Sequence, residues 1–516
     1  MWAVSTRDRS GGRELAPLAG VPVLAMAVAV GLVLLALSWR AGLTGGELAT
    51  LVDGDHLFWG HLDRPPLLPL LARLADTVTG GSTVGARLPA TLLSAAGVVV
   101  TALTARELGG ARYAQVLAAA VYASSAFVLG TGYLLTTTTV SVFLWAVFCW
   151  LLVRWARTGD DRLPICLGVV TAVALQSDFM IAALWVVLCV ALLTVGPRQL
   201  ATRSRLWAAG ALAALTTVPG LIWQARNGWP RHTAWQAVEP AISAKLTFLP
   251  VLLLSAGVLA GAAGACYGAA QLLRSTELSR YAFLGWTAIG VTATFLALDF
   301  RPYPVAGLFP VLWAAAAVSL ERRPLPRAWR WLPSWPVLAL STLLALPGMA
   351  GLSGSLGWPH SPLTPATWLA QYSGRGPFDR QLGPRPGDST WPAFADGVAG
   401  RYLALPQAAR SHVVIVTQSY WAAAALDRFG ETRGLPRVYS AQGGFWYFGA
   451  PPEDADSVLY VGDPVSIRPY FDNLRELGTL PAGTPGAGAV PGDTPLWLAS
   501  GRREPWSWMW PVLHTG

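Results

Sequence analysis

Residues 17–39 read PLAGVPVLAMAVAVGLVLLALSW, twenty-three positions with no charged side chain. A helix needs about 20 apolar residues to cross the hydrocarbon core of a bilayer. The run exceeds the ~7–15-residue core of a cleaved secretion signal, and the residues before it mix Arg7, Arg9 and Arg13 with two acids. It reads as a retained span. Ten further apolar runs follow, at 86–104, 113–130, 139–155, 163–177, 179–196, 206–224, 246–273, 281–298, 304–320 and 332–351. Helices satisfy their own backbone in lipid, so closely spaced runs of this kind predict a polytopic bundle. The expected fold class is mainly α, with about eleven transmembrane spans over residues 1–351 and a small exported α/β domain over 352–516. Composition agrees: 53% of the 516 residues are hydrophobic and 13% charged, against about 25% charged in soluble proteins. That excludes a disordered chain and a wholly soluble one.

Arginine sets the orientation. Lys and Arg total 37 against 28 acids, and Lys245 is the single lysine. Alternate short loops carry Arg106 and Arg112; Arg154, Arg157 and Arg162; Arg198, Arg203 and Arg205; Arg274 and Arg280; and Arg322, Arg323, Arg327 and Arg330. By the positive-inside rule these loops and the N-terminus are cytoplasmic. Eleven crossings then place residues 352–516 outside, in a multi-pass protein of the cell membrane. Basic charge this sparse does not point to nucleic acid. The histidines His56, His61, His232, His360, His412 and His514 fall outside or at the outer interface and form no HxxxH pair, so no metal and no cofactor is expected. Cys149, Cys166, Cys189 and Cys266 lie in apolar runs and read as small core residues.

The first outer loop, 40–85, is long, and long ordered loops usually carry function. It holds Glu47, Asp53, Asp55, Asp63, Arg64 and Arg73. Its stretch Leu67–Ala75 is apolar but too short to span, and is expected to lie in the membrane interface. In the tail, residues 352–410 look loop-rich. His412–Thr417 reads as a strand, Trp421–Phe429 as a helix ended by Gly430, Val458–Gly462 as a second strand and Ser466–Leu477 as a second helix. The cluster Phe445-Trp446-Tyr447-Phe448 has two readings: core packing or docking on the membrane domain, or a surface for stacking sugars.

The string Gly46-Glu47-Leu48, then His56-Leu57-Phe58-Trp59-Gly60-His61-Leu62-Asp63-Arg64-Pro65-Pro66-Leu67, resembles the first outer loop of the GT-C-fold glycosyltransferases that use polyprenyl-phosphate sugars. That group contains protein O-mannosyltransferases and lipid A aminoarabinose transferases. Ala105 to Gly110, Leu134 to Thr139 and the Trp223-Gln224-Ala225-Arg226-Asn227-Gly228-Trp229-Pro230 string are similar to further turns of the family, and Tyr420 to Leu426, Gly434 to Pro436 and Gly443 to Gly449 resemble its exported domain. The chain departs from the family at four places. Gly46 stands where an Asp usually precedes Glu47, Ser141 where an Asp follows the second outer turn, Ser177 beside Asp178 where a Lys is common, and Arg301-Pro302-Tyr303-Pro304 where the family has Lys-x-Tyr-Tyr.

The resemblance implies transfer of a sugar from a polyprenyl-phosphate donor to a lipid, glycan or protein acceptor at the outer face. That chemistry needs a carboxylate to take the acceptor's proton and a cation for the departing phosphate. Glu47 is the first candidate for the base and Asp63 the second, the latter with a loop-bracing alternative. Arg64 and Arg301 are the candidates for the phosphate, because the guanidinium fork suits phosphate oxygens. Asp178 and Asp299, outer-side acids near span ends, rank lower as bases, and His56, His61, Asp178 and Tyr303 are expected to line the substrate cavity. The loop is expected to pack under the later outer turns and to bring Glu47 and Asp63 near Arg301. The alternative is a catalytically impaired relative that binds a lipid-linked sugar or an envelope partner without turnover. A transporter fits less well, since its charged sites would sit near midplane.

Overall fold

The computed structural model describes residues 15–40, 42–57, 65–229, 242–298, 300, 302–323, 326, 331, 333–341, 343, 344, 390–480 and 494–514. Within them a helix bundle carries a five-stranded sheet at one end. Helix α1 (Gly20–Arg40) is the first apolar run. Five helices are long and apolar enough to cross a membrane by themselves: Gly20–Trp39, Leu88–Glu107, Thr137–Thr158, Ser204–Arg226 and Tyr303–Arg322. Phe248–Ala256 and Ala260–Arg274 make a sixth span if taken together, although they are bent by 104°.

The expected run 246–273 is therefore a broken helix. Gly257 at the break has φ +118°, a region an L side chain rarely adopts. The Ala260 amide freed by the break donates to Ser341 Oγ at 3.3 Å, and Trp313 Nε1 donates to the Gly261 carbonyl at 2.8 Å. The run 113–130 is also broken, at Ser124–Ser125, and Ser125 Oγ caps the short helix Ala126–Thr131 through the Val128 amide at 3.3 Å. Leu163–Leu175 and Ile181–Thr194 are apolar but shorter than a full crossing. The run 332–351 lies partly outside the described residues. Of the cysteines only Cys149 is buried; Cys166 and Cys266 are exposed. The core reading fails for those two because a bundle in lipid presents apolar residues outward as well as inward.

Small residues let helices approach closely. Ala260, Gly264 and Gly268 recur at every fourth position of the Ala260–Arg274 helix. A Cβ at Gly268 would collide with the Leu312 carbonyl of the neighbouring helix.

The two ends of the bundle differ in charge. At one, Arg157 pairs with Glu107 at 2.7 Å, and Arg322 and Arg323 share Glu277 at 2.9 and 3.1 Å. Glu321 accepts from the Ala111 and Ala114 amides at 2.7 and 3.1 Å, which caps the positive end of the Arg112–Ala123 helix. Arg106 Nε donates to the Ala16 carbonyl at 2.9 Å. The sheet stands on the opposite end. Reporter fusions at residues 159 and 400 are expected to report opposite sides of the membrane. One side for both would refute this arrangement.

The sheet order is β2-β1-β3-β5-β4, with β1 Val413–Thr417, β2 Val438–Ser440, β3 Ser457–Val461, β4 Phe471–Leu480 and β5 Thr494–Arg502. Strand β1 runs parallel to β2 and β3, and β5 is antiparallel to β3 and β4. The expected strands at 412–417 and 458–462 match β1 and β3. The helix after β1 spans Tyr420–Gly430, continues through a 3-10 turn over Glu431–Arg433, and stops at Gly434, φ +74°. Gly430 itself keeps helical angles, so the stop falls four residues later than expected. Thr390–Leu403 is a helix in a stretch expected to be loop-rich.

The expected helix over Ser466–Leu477 is instead two short 3-10 turns leading into β4. The spacing of Phe471, Leu474 and Leu477 imitates a helix. In a regular strand, residues an odd number apart face opposite ways. Phe471 and Leu474 lie in one unbroken register with β5, and a register shift between Glu476 and Gly478, with Gly478 at φ +98°, interrupts the pairing at Leu477, as a bulge does. Pairing with β5 overrides the local propensity.

Candidate functional site at the sheet end of the bundle

Helix α2 (Gly45–Asp55) begins with a capping box: the Glu47 amide donates to Thr44 Oγ1 at 3.2 Å, and the Thr44 amide donates to Glu47 Oε2 at 2.9 Å. The same carboxylate receives Arg87 Nε on Oε1 at 2.8 Å, Arg87 Nη2 on Oε2 at 2.7 Å, and the Leu135 amide on Oε1 at 3.3 Å. Arg87 also donates to the Ser38 and Gly42 carbonyls at 3.4 and 2.7 Å and lies 5.2 Å from the Tyr133 ring centroid. Glu47 is 2% exposed and Arg87 0%. Burial alone would push the Glu47 carboxyl up, but the Arg87 charge and the hydrogen bonds outweigh it and hold the group below the usual carboxylate range.

With four donors on its two oxygens, the carboxylate has its acceptor sites filled. Glu47, the candidate base of the sequence reading, thus joins α1, α2, the Leu88–Glu107 helix and the turn at 131–136. Arg87 is the buried partner of Glu47 that sequence reading missed. Its signal was visible: a charge inside the apolar run 86–104.

Helix α3 (Leu67–Thr79) follows the loop and ends at Gly80, φ +62°. Leu68, Ala72 and Ala75 are buried, while Leu70, Leu74 and Val78 form an exposed apolar stripe. That is the pattern of a helix lying in the membrane interface, four residues longer than expected. Gly54 of α2 lets the two helices meet: a Cβ there would lie 2.8 Å from the Pro69 carbonyl. Arg73 Nη1 donates to the Gly54 carbonyl at 3.0 Å.

The turn at 176–180 closes the other side. The Leu67 amide donates to the Gln176 carbonyl at 3.0 Å, and Gln176 Nε2 donates to the Thr216 carbonyl at 2.8 Å. Asp178 is half-buried. Its Oδ1 accepts from the Met180 amide at 3.1 Å and its Oδ2 from the Tyr303 hydroxyl at 2.8 Å. Ser141 and Ser177, which stand at the family's Asp and Lys positions, are both buried, and neither hydroxyl has a hydrogen-bond partner among the described residues. The loop does pack against the later turns, through Glu47 with Leu135 and Leu67 with Gln176. Asp63, Arg64, His61, Asp299 and Arg301 lie outside the described residues.

The α/β domain is fastened over this end. His56, the C-cap just past α2, stacks on Phe448 with centroids 4.3 Å apart, and Tyr447 meets Trp223 at 4.9 Å. Arg428 grips Asp76 of α3 with both terminal nitrogens, at 2.8 and 2.7 Å. Trp421 and Trp391 press on Gly45, where a Cβ would lie 3.1 and 3.3 Å from their rings. Phe448 and Tyr447 thus dock the domain on the bundle, and Trp446 packs inside it, stacked on His514 at 4.3 Å. Asp427 lies in the helix Tyr420–Gly430 of the same domain. Burial raises its carboxyl above the usual range; His56 opposes the rise and Asp55 adds to it.

Residues 63–223 match the family model described as dolichyl-phosphate-mannose-protein mannosyltransferase. The structure superposes on the crystal structure of ArnT from Cupriavidus metallidurans in the apo state with a TM-score of 0.58 and 13% identity, covering 93% of this chain and 97% of that one. The chain has the GT-C glycosyltransferase fold. The arabinofuranosyltransferase AftD from Mycobacteria is also similar, with a TM-score of 0.50 and 16% identity over 93% of this chain and 40% of AftD. No curated protein matches the sequence. The GT-C likeness to ArnT takes in both the bundle and the sheet domain, so the Glu47–Arg87 pair, the interfacial helix and the Asp178–Tyr303 pair belong to one fold.

Proposed function

We propose that this GT-C protein transfers a sugar from a polyprenyl-phosphate donor to a lipid, glycan or protein acceptor at the outer face of the cell membrane. The observation that carries the reading is the match of residues 63–223 to a family defined by a polyprenyl-phosphate sugar donor. The N-terminus and the arginine-bearing loops are cytoplasmic, the bundle comprises residues 1–351 with about eleven crossings, and residues 352–516 form the exported domain. Arg64 and Arg301 hold the donor phosphate, and Asp63, His56, His61, Asp178 and Tyr303 surround the sugar and acceptor.

A second reading has a specific observation behind it. Gly46 and Ser141 supply no carboxylate, and Glu47 is committed to Arg87. A relative that holds a lipid-linked sugar without turning it over fits those facts. Both readings require donor binding. A charge-assisted hydrogen bond contributes about 1.5–3 kcal/mol, so Arg301→Ala is expected to weaken binding of a polyprenyl-phosphate sugar by about 10- to 100-fold, measured by calorimetry on purified protein. Unchanged affinity would remove Arg301 from the donor site, and no binding by the unmodified protein to any sugar of the series would defeat both readings.

A further inference from the structure

The helix Trp506–Leu513, which follows β5, is apolar on two sides. Trp506, Met509, Trp510 and Leu513 are buried, packed with Val416, Val458, Tyr460 and Ala499 from one face of β1, β3 and β5. A helix with one face in its domain's core ordinarily turns a polar face to water. This one turns Ser507, Trp508, Pro511 and Val512 outward, all exposed and none charged. Trp508 is 51% exposed and Val512 54%, and residues four apart share one side of a helix. The Tyr470 ring lies 5.9 Å from that of Trp508 and extends the patch. The other end of the helix reaches the bundle. Trp446 Nε1 donates to the Trp510 carbonyl at 2.9 Å, and His514 stacks on Trp446 at 4.3 Å. The Tyr447 ring lies 5.8 Å from His514 and 4.9 Å from Trp223. Trp223 stands near the end of Ser204–Arg226, a helix long and apolar enough to cross a membrane, and its neighbours Leu221 and Ile222 are exposed. His514 is therefore close to the level at which that helix leaves the hydrocarbon. A helix rises about 1.5 Å per residue, so Val512 and Trp508 lie at most about 3 and 9 Å beyond His514. The polar layer of one leaflet is about 5–8 Å thick.

We infer that Trp508 and Val512 anchor the sheet domain in the leaflet on its own side of the membrane, with lipid headgroups and upper acyl chains as their partner. Trp gathers at membrane interfaces because its ring is apolar while its N–H seeks a polar partner. An exposed apolar patch on a domain marks a contact surface, and this one continues the row of rings that already joins the domain to the bundle at Trp223. A second copy of the chain fits the patch less well. A specific protein interface takes about 20–30 residues a side, whereas this surface offers Trp508, Pro511 and Val512 with part of Tyr470. The domain is then held in two ways: by protein, through Tyr447 on Trp223, Phe448 on His56 and Arg428 on Asp76, and by lipid, through Trp508 and Val512. The lipid contact limits rocking of the domain over the end of the bundle.

The test is spin labelling of the full-length protein in nanodiscs of phosphatidylethanolamine and phosphatidylglycerol, with Cys149, Cys166, Cys189 and Cys266 replaced by Ala. Labels at Trp508→Cys and Val512→Cys are compared with two references. Val28→Cys lies on the exposed side of α1 and reports lipid; Arg475→Cys lies exposed on the edge strand β4 and reports water. Collision with oxygen, which concentrates in lipid, is measured against collision with a water-soluble nickel chelate. Both labels are expected to favour oxygen over nickel more than Arg475→Cys does, at values between the two references. A ratio equal to that at Arg475→Cys would overturn the anchor. Shielding from both reagents would also overturn it, since protein and not lipid would then cover the patch. Val512→Cys is the smaller change and decides the question by itself if Trp508→Cys lowers the melting temperature of the protein.

Discussion

Glu47→Gln is expected to destabilise the fold by about 3–5 kcal/mol, the typical cost of breaking a buried ion pair by removing one partner. The substitution leaves Arg87, 0% exposed, with its charge uncompensated, and it weakens the links to Thr44 and Leu135. Arg87→Ala is expected to cost a similar amount by orphaning the carboxylate. The double variant Glu47→Gln/Arg87→Ala should be milder than the sum of the two single losses, because it leaves no unpaired buried charge. Unfolding midpoints in detergent for the three variants close the cycle. Strict additivity would mean that the pair is not coupled in the folded state. The sign in pH follows from the lowered carboxyl. The pair's contribution is complete above the unfolded glutamate's range, near pKa 4.3, and is lost as pH falls through the lower folded value. Glu47→Gln should remove that acid-side dependence. Loss of activity in Glu47→Gln alongside this destabilisation would report a collapsed loop, whereas loss with an unchanged unfolding midpoint would report a missing base.

Gly268→Leu is expected to be the most disruptive single change in the helix packing. A Cβ at this position already meets the Leu312 carbonyl, and backbone cannot turn aside as a side chain does. Overpacking costs about 1–3 kcal/mol, and a rigid backbone neighbour with three more carbons to place puts this site at or above the top of that range. Gly264→Ala, where the nearest atom is Trp313 Cδ1 at 3.2 Å, should be tolerated better. Melting temperatures of the two variants in one detergent check the ranking; equal values would contradict the close helix contact.

Much of the bundle was legible because lipid leaves the backbone few choices. Apolar runs and arginine spacing identified α1 and the Leu88–Glu107, Thr137–Thr158, Ser204–Arg226 and Tyr303–Arg322 helices. They did not show the breaks at Gly257 or Ser125, where single residues and not average hydropathy decide. In the sheet domain, strands with unbroken β-branched runs were readable, whereas β4 was hidden because Phe471, Leu474 and Leu477 fall at a helical spacing in the sequence. The site was legible only in part. In the first outer loop the ion pair of Glu47 was not legible, because Arg87 lies forty residues away. Asp178 ranked low in sequence because nothing local links it to Tyr303, 125 residues later. The docking aromatics had two readings until His56 and Trp223 were found against them.

The most direct measurement is turnover by the purified, reconstituted full-length protein with a series of polyprenyl-phosphate sugars and envelope lipid, glycan and protein acceptors. Release of polyprenyl phosphate, matched mole for mole by sugar on an acceptor, is the predicted result. Donor that binds and stays intact with every acceptor would contradict transfer and leave a lipid-linked-sugar binding protein on a GT-C fold.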